Sequence, residues 1–129
     1  MSLEDMKWSA QNGEITQVRD YMEKGADINA TDSVDRQLIH YAADYGKLDI
    51  VEMLVNEYNA NINAVDKHGN TPLINAAFEG HVPVVKFLVD KGAKKDIKGP
   101  NDMTALMAVE SADIFEDSRA AIVALLQEK

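Results

Sequence analysis

The sequence predicts an all-α solenoid of four stacked helix-turn-helix units joined by β-hairpin loops. Three observations predict it. A pattern of apolar and glycine positions recurs about every 33 residues along the chain. Pairs of alanines stand where neighbouring helices would have to approach closely. Aromatic residues supply only 6 % of a chain that is 46 % apolar, so the core must be built from Ala, Leu, Ile, Val and Met, which suits short close-packed helices. The 129 residues fit a single domain.

The repeat is clearest between its second and third copies. Ile39-His40-Tyr41-Ala42-Ala43-Asp44-Tyr45-Gly46 matches the segment from Leu73 to Gly80. Ile50-Val51 matches Val84-Val85, and Leu54 matches Leu88. Asn59-Ala60 then matches Gly92-Ala93 one residue out of step, which makes Tyr58 an insertion. Towards the N-terminus, Ala10, Gly13 and Val18 anticipate Ala43, Gly46 and Val51. Towards the C-terminus, Thr104-Ala105-Leu106 follows Thr71-Pro72-Leu73. The units fall at about 2–31, 32–65, 66–98 and 99–129.

Each recurring residue has a physical job. In the third unit, Thr71 can cap a helix whose first position is Pro72, where the missing N–H costs nothing. Ala76-Ala77 allow close helix approach, and Gly80 allows a tight turn between antiparallel helices. Val84, Val85 and Leu88 form one apolar face of the second helix, and Gly92 suits a left-handed helix end. Asp66-Lys67-His68-Gly69 reads as a hairpin tip. This register places the inner helices at about Leu3–Asn12, Leu38–Tyr45, Pro72–Glu79 and Ala105–Glu110. The outer helices fall at about Thr16–Lys24, Leu48–Tyr58, Val82–Lys91 and Asp117–Gln127. Ser2 and Asp5 have capping-box spacing. The fourth unit carries about four extra residues between Ser111 and Arg119, which predicts a longer turn, and it has Asp102 at the loop-glycine position.

Chemistry is poorly represented. There is no cysteine, which excludes disulfides, thiolate nucleophiles and Cys-bound zinc. The three histidines lack metal-ligand spacing. His40 and His81 read as structural, with His40 bonded to loop backbone, and His68 reads as an exposed tip residue. No nucleophile elbow or phosphate loop is present, so the chain is expected not to be an enzyme and to need no cofactor. The net charge of −9 disfavours nucleic acid and anionic membranes and suits a basic protein partner. Neither a signal peptide nor a membrane-spanning run is evident. The expectation is therefore a cytoplasmic protein, with the nucleus also open to it.

Gly-x-Thr-Pro-Leu, Ala-Ala, Gly-His and Gly-Ala-Asp-Ile-Asn at this period resemble the ankyrin repeat, over essentially the whole chain. That resemblance implies a concave surface of loop tips and inner-helix positions that holds another protein. Carried onto this sequence by register, the contact residues are Trp8, Gln11, Asp35, Arg36, Tyr41, Asp44, Tyr45, His68, Asn70, Asn75 and Glu79. The strip is aromatic and mildly acidic.

A narrower resemblance follows. Met6-Lys7-Trp8-Ser9-Ala10-Gln11-Asn12-Gly13, His40-Tyr41-Ala42-Ala43-Asp44, Asp66-Lys67-His68, Glu79-Gly80-His81-Val82, Lys98-Gly99-Pro100 and Ala124-Leu125-Leu126-Gln127 are similar to small stand-alone ankyrin proteins of the myotrophin type. Trp8, Asp44 and Lys98-Gly99-Pro100 are not required by the ankyrin fold. The resemblance implies a monomer that binds the heterodimeric actin capping protein and sterically blocks its attachment to filament barbed ends. The alternative is a generic ankyrin adaptor for a signalling or transcription factor. A targeting arm cut from a larger enzyme or channel is disfavoured, because Met1 precedes its own helix cap and Ala121–Lys129 closes the last helix.

Overall fold

The computed structural model describes residues 2–127, and within them the chain forms eight α-helices in four antiparallel pairs. They are α1 (Leu3–Gln11), α2 (Ile15–Glu23), α3 (Leu38–Asp44), α4 (Leu48–Tyr58), α5 (Pro72–Phe78), α6 (Val82–Asp90), α7 (Ala105–Ser111) and α8 (Glu116–Gln127). A 3₁₀ turn at Pro100–Asp102 precedes α7. The odd-numbered helices pack side by side as an inner layer, and the even-numbered helices form an outer layer against them.

The helix starts follow from local chemistry. Thr71 Oγ1 accepts from Ile74 N–H at 3.2 Å ahead of Pro72, and Thr104 caps α7 in the same way. The Asp5 carboxylate accepts from the Ser2 N–H at 2.8 Å, which is half of the expected capping box. Between the layers lie Val18, Ile39, Ile50, Leu54, Leu73, Val84, Val85, Leu88, Val109 and Ile122, none more than 1 % exposed. Ala42, Ala43, Ala76, Ala77 and Ala105 occupy the inner-helix contacts, where any larger side chain would push the layer apart. Burying this aliphatic set, at about 25 cal/mol per Å² of apolar surface, is the main force that stacks the units.

Turn geometry also locks one unit to the next. Gly46 has φ +71°, and a Cβ built there would lie 2.5 Å from Nδ1 of His81. That ring belongs to the following unit and bonds back through Nε2 to the Asp44 carbonyl at 2.9 Å. The glycine is thus required twice, by backbone conformation and by the neighbour's imidazole.

Two expectations need correction. No β-strand forms among the described residues. The loops are instead tight turns, each closed by two backbone bonds: Asp32 N–H to Arg36 O at 3.0 Å and Asp35 N–H to Asp32 O at 3.0 Å in one, Asp66 N–H to Asn70 O at 3.0 Å and Gly69 N–H to Asp66 O at 3.1 Å in the other. A single backbone bond, Lys67 N–H to Val34 O at 2.9 Å, links these two neighbouring turns. Their polar groups are met by aspartate side chains, so no ladder is needed.

The fourth unit's insertion does not simply lengthen its turn. The connection Ala112–Phe115 has one residue more than Glu79–His81, and the remaining insertion starts α8 earlier. Arg119 sits in the first turn of α8 and donates to the carbonyls of Val109, of Glu110 at 3.0 Å and of Ala112 at 2.8 Å. It thereby caps the C-terminal end of α7 with a cation.

Candidate functional site

The turns and inner helices share one face, and its centre is built around Arg36. Asp32 begins the second unit's turn. Its Oδ1 accepts the N–H groups of Val34 and Arg36, both at 3.0 Å. Asp66 does the same one unit later for His68 and Asn70, both at 2.9 Å. Each aspartate is a local turn former, and each has its second oxygen left over for a partner outside its own turn. For Asp32 that partner is the Tyr41 hydroxyl on α3. For Asp66 it is Arg36 Nε, at 3.0 Å.

Arg36 thus joins two turns and two helices. Besides Asp66 it reaches Asn75 Oδ1 on α5 at 3.3 Å and Asp44 on α3 at 3.5 Å, and its guanidinium lies 5.2 Å from the centre of the Tyr41 ring. Lys7 Nζ lies 5.5 Å from that ring's centre. The Arg36 side chain is 17 % exposed and that of Asp66 1 %, so this pair is largely withdrawn from water.

The electrostatics agree with the geometry. Burial alone would raise the Asp66 carboxyl; the Asn70 N–H, Arg36 and the His68 N–H outweigh it and hold the group below its ordinary range. Burial opposes ionisation of Asp32 too, and is outweighed by the Tyr41 hydroxyl and the Arg36 and Val34 N–H groups. Burial, and then the Asp32 carboxylate, push the Tyr41 phenol up.

His40 lies beneath the turn with no solvent access. Its Nδ1 accepts from Gln37 N–H at 3.1 Å. Nε2–H therefore donates to the carbonyls of Ala64 and Asn70, at 3.0 and 3.1 Å. This is the loop-backbone role expected from sequence. Burial lowers its pKa, so it stays neutral.

Beside this network runs a groove of about 440 Å³ between α5 and the Pro100–Met103 turn. Arg36, Asp44, Asn70, Asn75 and Glu79 line it, together with Ile74, Phe78, Pro100, Asn101, Met103 and Ala108. Five of the eleven predicted contact residues therefore meet in one place. The others are dispersed. Trp8 is 62 % exposed on α1, Tyr45 is exposed at the end of α3, and Gln11 is half-buried. Asp35 and His68 are exposed at turn tips. Tyr41 and Asn75 are each only 5 % exposed, so they support the face from beneath rather than project from it.

Two turn aspartates and six groove-lining residues, Ile74, Phe78, Pro100, Asn101, Met103 and Ala108, lie outside the predicted contact set. Asp32 and Asp66 anchor the network, and their signal is the aspartate that opens each turn. Ile74, with its place in the groove wall, gives no signal beyond its apolar character. No group of three or more metal-ligating side chains is assembled among the described residues. No helix there is long and apolar enough to cross a membrane.

A stack of short antiparallel helix pairs with tight turns along one edge, and a mixed polar and aromatic face, defines a repeat scaffold for protein contact. The chain belongs to the ankyrin-repeat family: the pattern described as "Ankyrin repeats (3 copies)" matches residues 6–99. It is 34 % identical over 89 residues to Serine/threonine-protein kinase 12 of Arabidopsis thaliana, covering 69 % of this chain and 19 % of that protein. Ankyrin repeat protein nuc-2 of Neurospora crassa is 32 % identical over 85 residues, covering 66 % of this chain and 8 % of that protein. Putative glutaminase 2 of Caenorhabditis elegans is 30 % identical over 108 residues, covering 84 % and 17 %. The chain thus spans less than a fifth of each of these relatives. In the kinase and the glutaminase the matching part is the ankyrin region, and the family is typically non-enzymatic. The ankyrin repeats make this chain a protein–protein interaction module.

Proposed function

We propose that this module acts without catalysis, as a cytoplasmic monomer that binds the heterodimeric actin capping protein and sterically keeps it from filament barbed ends. The observation that carries the reading is Trp8. It stands in the myotrophin-type motif Met6–Gly13 and is 62 % exposed on the inner helix of the first pair, so it serves no core. A large exposed aromatic on a contact face is the usual form of a binding hot spot. The exposed Tyr45 and Phe78 and the carboxylate of Glu79 extend an aromatic, acidic face towards the later units. With a net charge of −9, that face suits a basic partner surface.

The test is calorimetry of the full chain with purified capping protein at two salt concentrations. Binding that weakens with salt, and that Trp8→Ala reduces at least tenfold (1.4 kcal/mol) without altering thermal unfolding, supports the reading. No heat of binding at low salt overturns it. The range of large proteins with similar ankyrin regions favours a second reading, a generic adaptor for a signalling or transcription factor. In that case the calorimetry is silent and an unbiased pull-down returns another partner.

A further inference from the structure

The groove beside α5 has a chemistry more specific than a general contact face. We propose that it is a slot for a cationic side chain, arginine or lysine, carried by an extended segment of the partner protein. The proposal rests on the concave face being the protein-binding face, and it adds what the centre of that face recognises.

Four observations carry it. First, the groove holds uncommitted negative charge. Its one cation, Arg36, is already met by the buried Asp66 carboxylate at 3.0 Å, while Asp44 stands off at 3.5 Å. Glu79 enters no ion pair among the described residues. An incoming guanidinium or ammonium would find two carboxylates with capacity to spare.

Second, the walls suit the rest of such a side chain. Phe78, 48 % exposed, offers a ring face for a cation, and Ile74 and Met103 offer apolar surface for a methylene stem. Third, the volume of about 440 Å³ falls within the span of ligand pockets, roughly 300–1,000 Å³.

The fourth observation concerns Asn75, which lines the groove while only 5 % exposed. Its Oδ1 is held by Arg36 Nη2, so the opposite amide orientation would set two donors face to face. The Nδ2 group is consequently buried with no acceptor. A buried donor left unmatched is costly, and this one borders the slot that the carboxylates flank. An extended segment brings the missing acceptor with it. A small rotation of the Asn75 amide towards the groove lets it donate to the segment's backbone carbonyl, while the adjacent basic side chain lies between Asp44 and Glu79. The side chain supplies specificity and the amide fixes the segment's direction.

The experiment titrates the ¹⁵N-labelled full chain with blocked pentapeptides of alanine that carry arginine, lysine or the neutral isostere citrulline at the centre. Peptide is added to about 10 mM, enough to detect millimolar binding. Saturable shifts of the Asn75 side-chain amide and of the Phe78, Glu79 and Met103 backbone amides are expected with arginine and lysine but not with citrulline. Glu79→Gln, at an exposed helix end, should weaken the arginine peptide about tenfold with unfolding unchanged. Equal shifts with citrulline overturn the cationic slot and leave the groove as a peptide site. Shifts spread evenly over outer-helix carboxylates such as Asp20 and Glu52 overturn it as non-specific attraction. No groove shift with any peptide overturns it outright. Calorimetry with capping protein reports separately on the wider reading.

Discussion

Replacing Asp66 by asparagine should cost this small protein a substantial share of its stability while leaving its turn intact. The change is nearly isosteric. Oδ1 can still accept from the N–H groups of His68 and Asn70, now at 2.9 Å each. What is lost is the charge opposite Arg36 Nε at 3.0 Å, replaced by an N–H₂ that faces another donor. Breaking a buried ion pair by removing one partner costs about 3–5 kcal/mol. Arg36 is 17 % exposed and retains Asp44 and the Tyr41 ring, which places the expected loss lower, at about 2–3 kcal/mol. For a domain of this length the entropy of unfolding converts that into a fall in Tm of roughly 7–11 °C.

Urea and thermal unfolding at pH 7 measure the loss, with Glu57→Gln as comparison. Glu57 bonds to Arg19 at 2.6 Å, shorter than the Asp66 contact, yet both partners are about half exposed. Water and salt screen such a pair, so its removal should barely move the midpoint. If the two variants behave alike, burial is not what gives the Arg36–Asp66 pair its strength, and the account of the central network fails. A second readout follows from the lowered Asp66 pKa. The unfolded carboxyl takes up a proton at a higher pH than the folded one. The pair's contribution is therefore full above the ordinary value of 3.8 and lost as pH falls through the folded value. Asp66→Asn should flatten that acid limb.

Other perturbations have equally definite outcomes. His40 has a folded pKa below its ordinary value of 6.5, so the unfolded chain binds its proton first. Stability should fall as pH drops below 6.5 towards the folded value, and urea midpoints at pH 7.5 and 5.0 should converge in His40→Asn. Gly46→Ala should cost about 3 kcal/mol, from backbone strain plus collision with His81. Gly92→Ala, with φ +87° but nothing within 4 Å, should cost only about 1 kcal/mol; thermal denaturation distinguishes them. Arg119→Met should uncap α7, and hydrogen exchange should then show faster opening of α7 and α8 while α3 to α6 stay protected.

The helices were legible in sequence because their signals are local. An alanine pair, a glycine at the turn and an apolar face locate a helix whatever it packs against, and observed helix ends lie within about two residues of the expected ones. The candidate site was legible in register but not in depth. Tyr41 and Asn75 share the repeat position of the exposed Trp8, yet both are buried. The reason lies in side-chain partners that repeat register does not reveal: Asp32 and Arg36, earlier in the same unit, hold Tyr41, and Arg36 reaches 39 residues on to Asn75. The β-hairpin expectation failed for a related reason. An aspartate at the start of each turn satisfies the backbone in place, which removes the need for a strand partner. The extra residues of the fourth unit were visible, but their use was not. Length alone does not reveal that Arg119 would reach back to the end of α7.

The same long-range bonds bear on how a partner could be held. A repeat stack has few contacts between distant units, so its face could flex as units tilt. Here the turns of the second and third units are tied at three depths, in addition to the bond from His81 to the Asp44 carbonyl. Lys67 N–H bonds Val34 O at the turn tips, Arg36 spans the middle, and His40 fastens the base of one turn to the next. Side chains that would otherwise be mobile on a concave surface are thus set before any partner arrives, and ordering them costs nothing on binding. The aromatic groups that remain free, Trp8, Tyr45 and Phe78, each have only two torsions to fix. A variant that loosens Arg36 should therefore weaken partner binding through slower formation of the competent face. A variant that truncates Trp8 should weaken it through faster release. Association and dissociation rates measured on the two variants separate those causes, and a purely dissociative effect at Arg36 would show that the network stabilises the fold without organising the site.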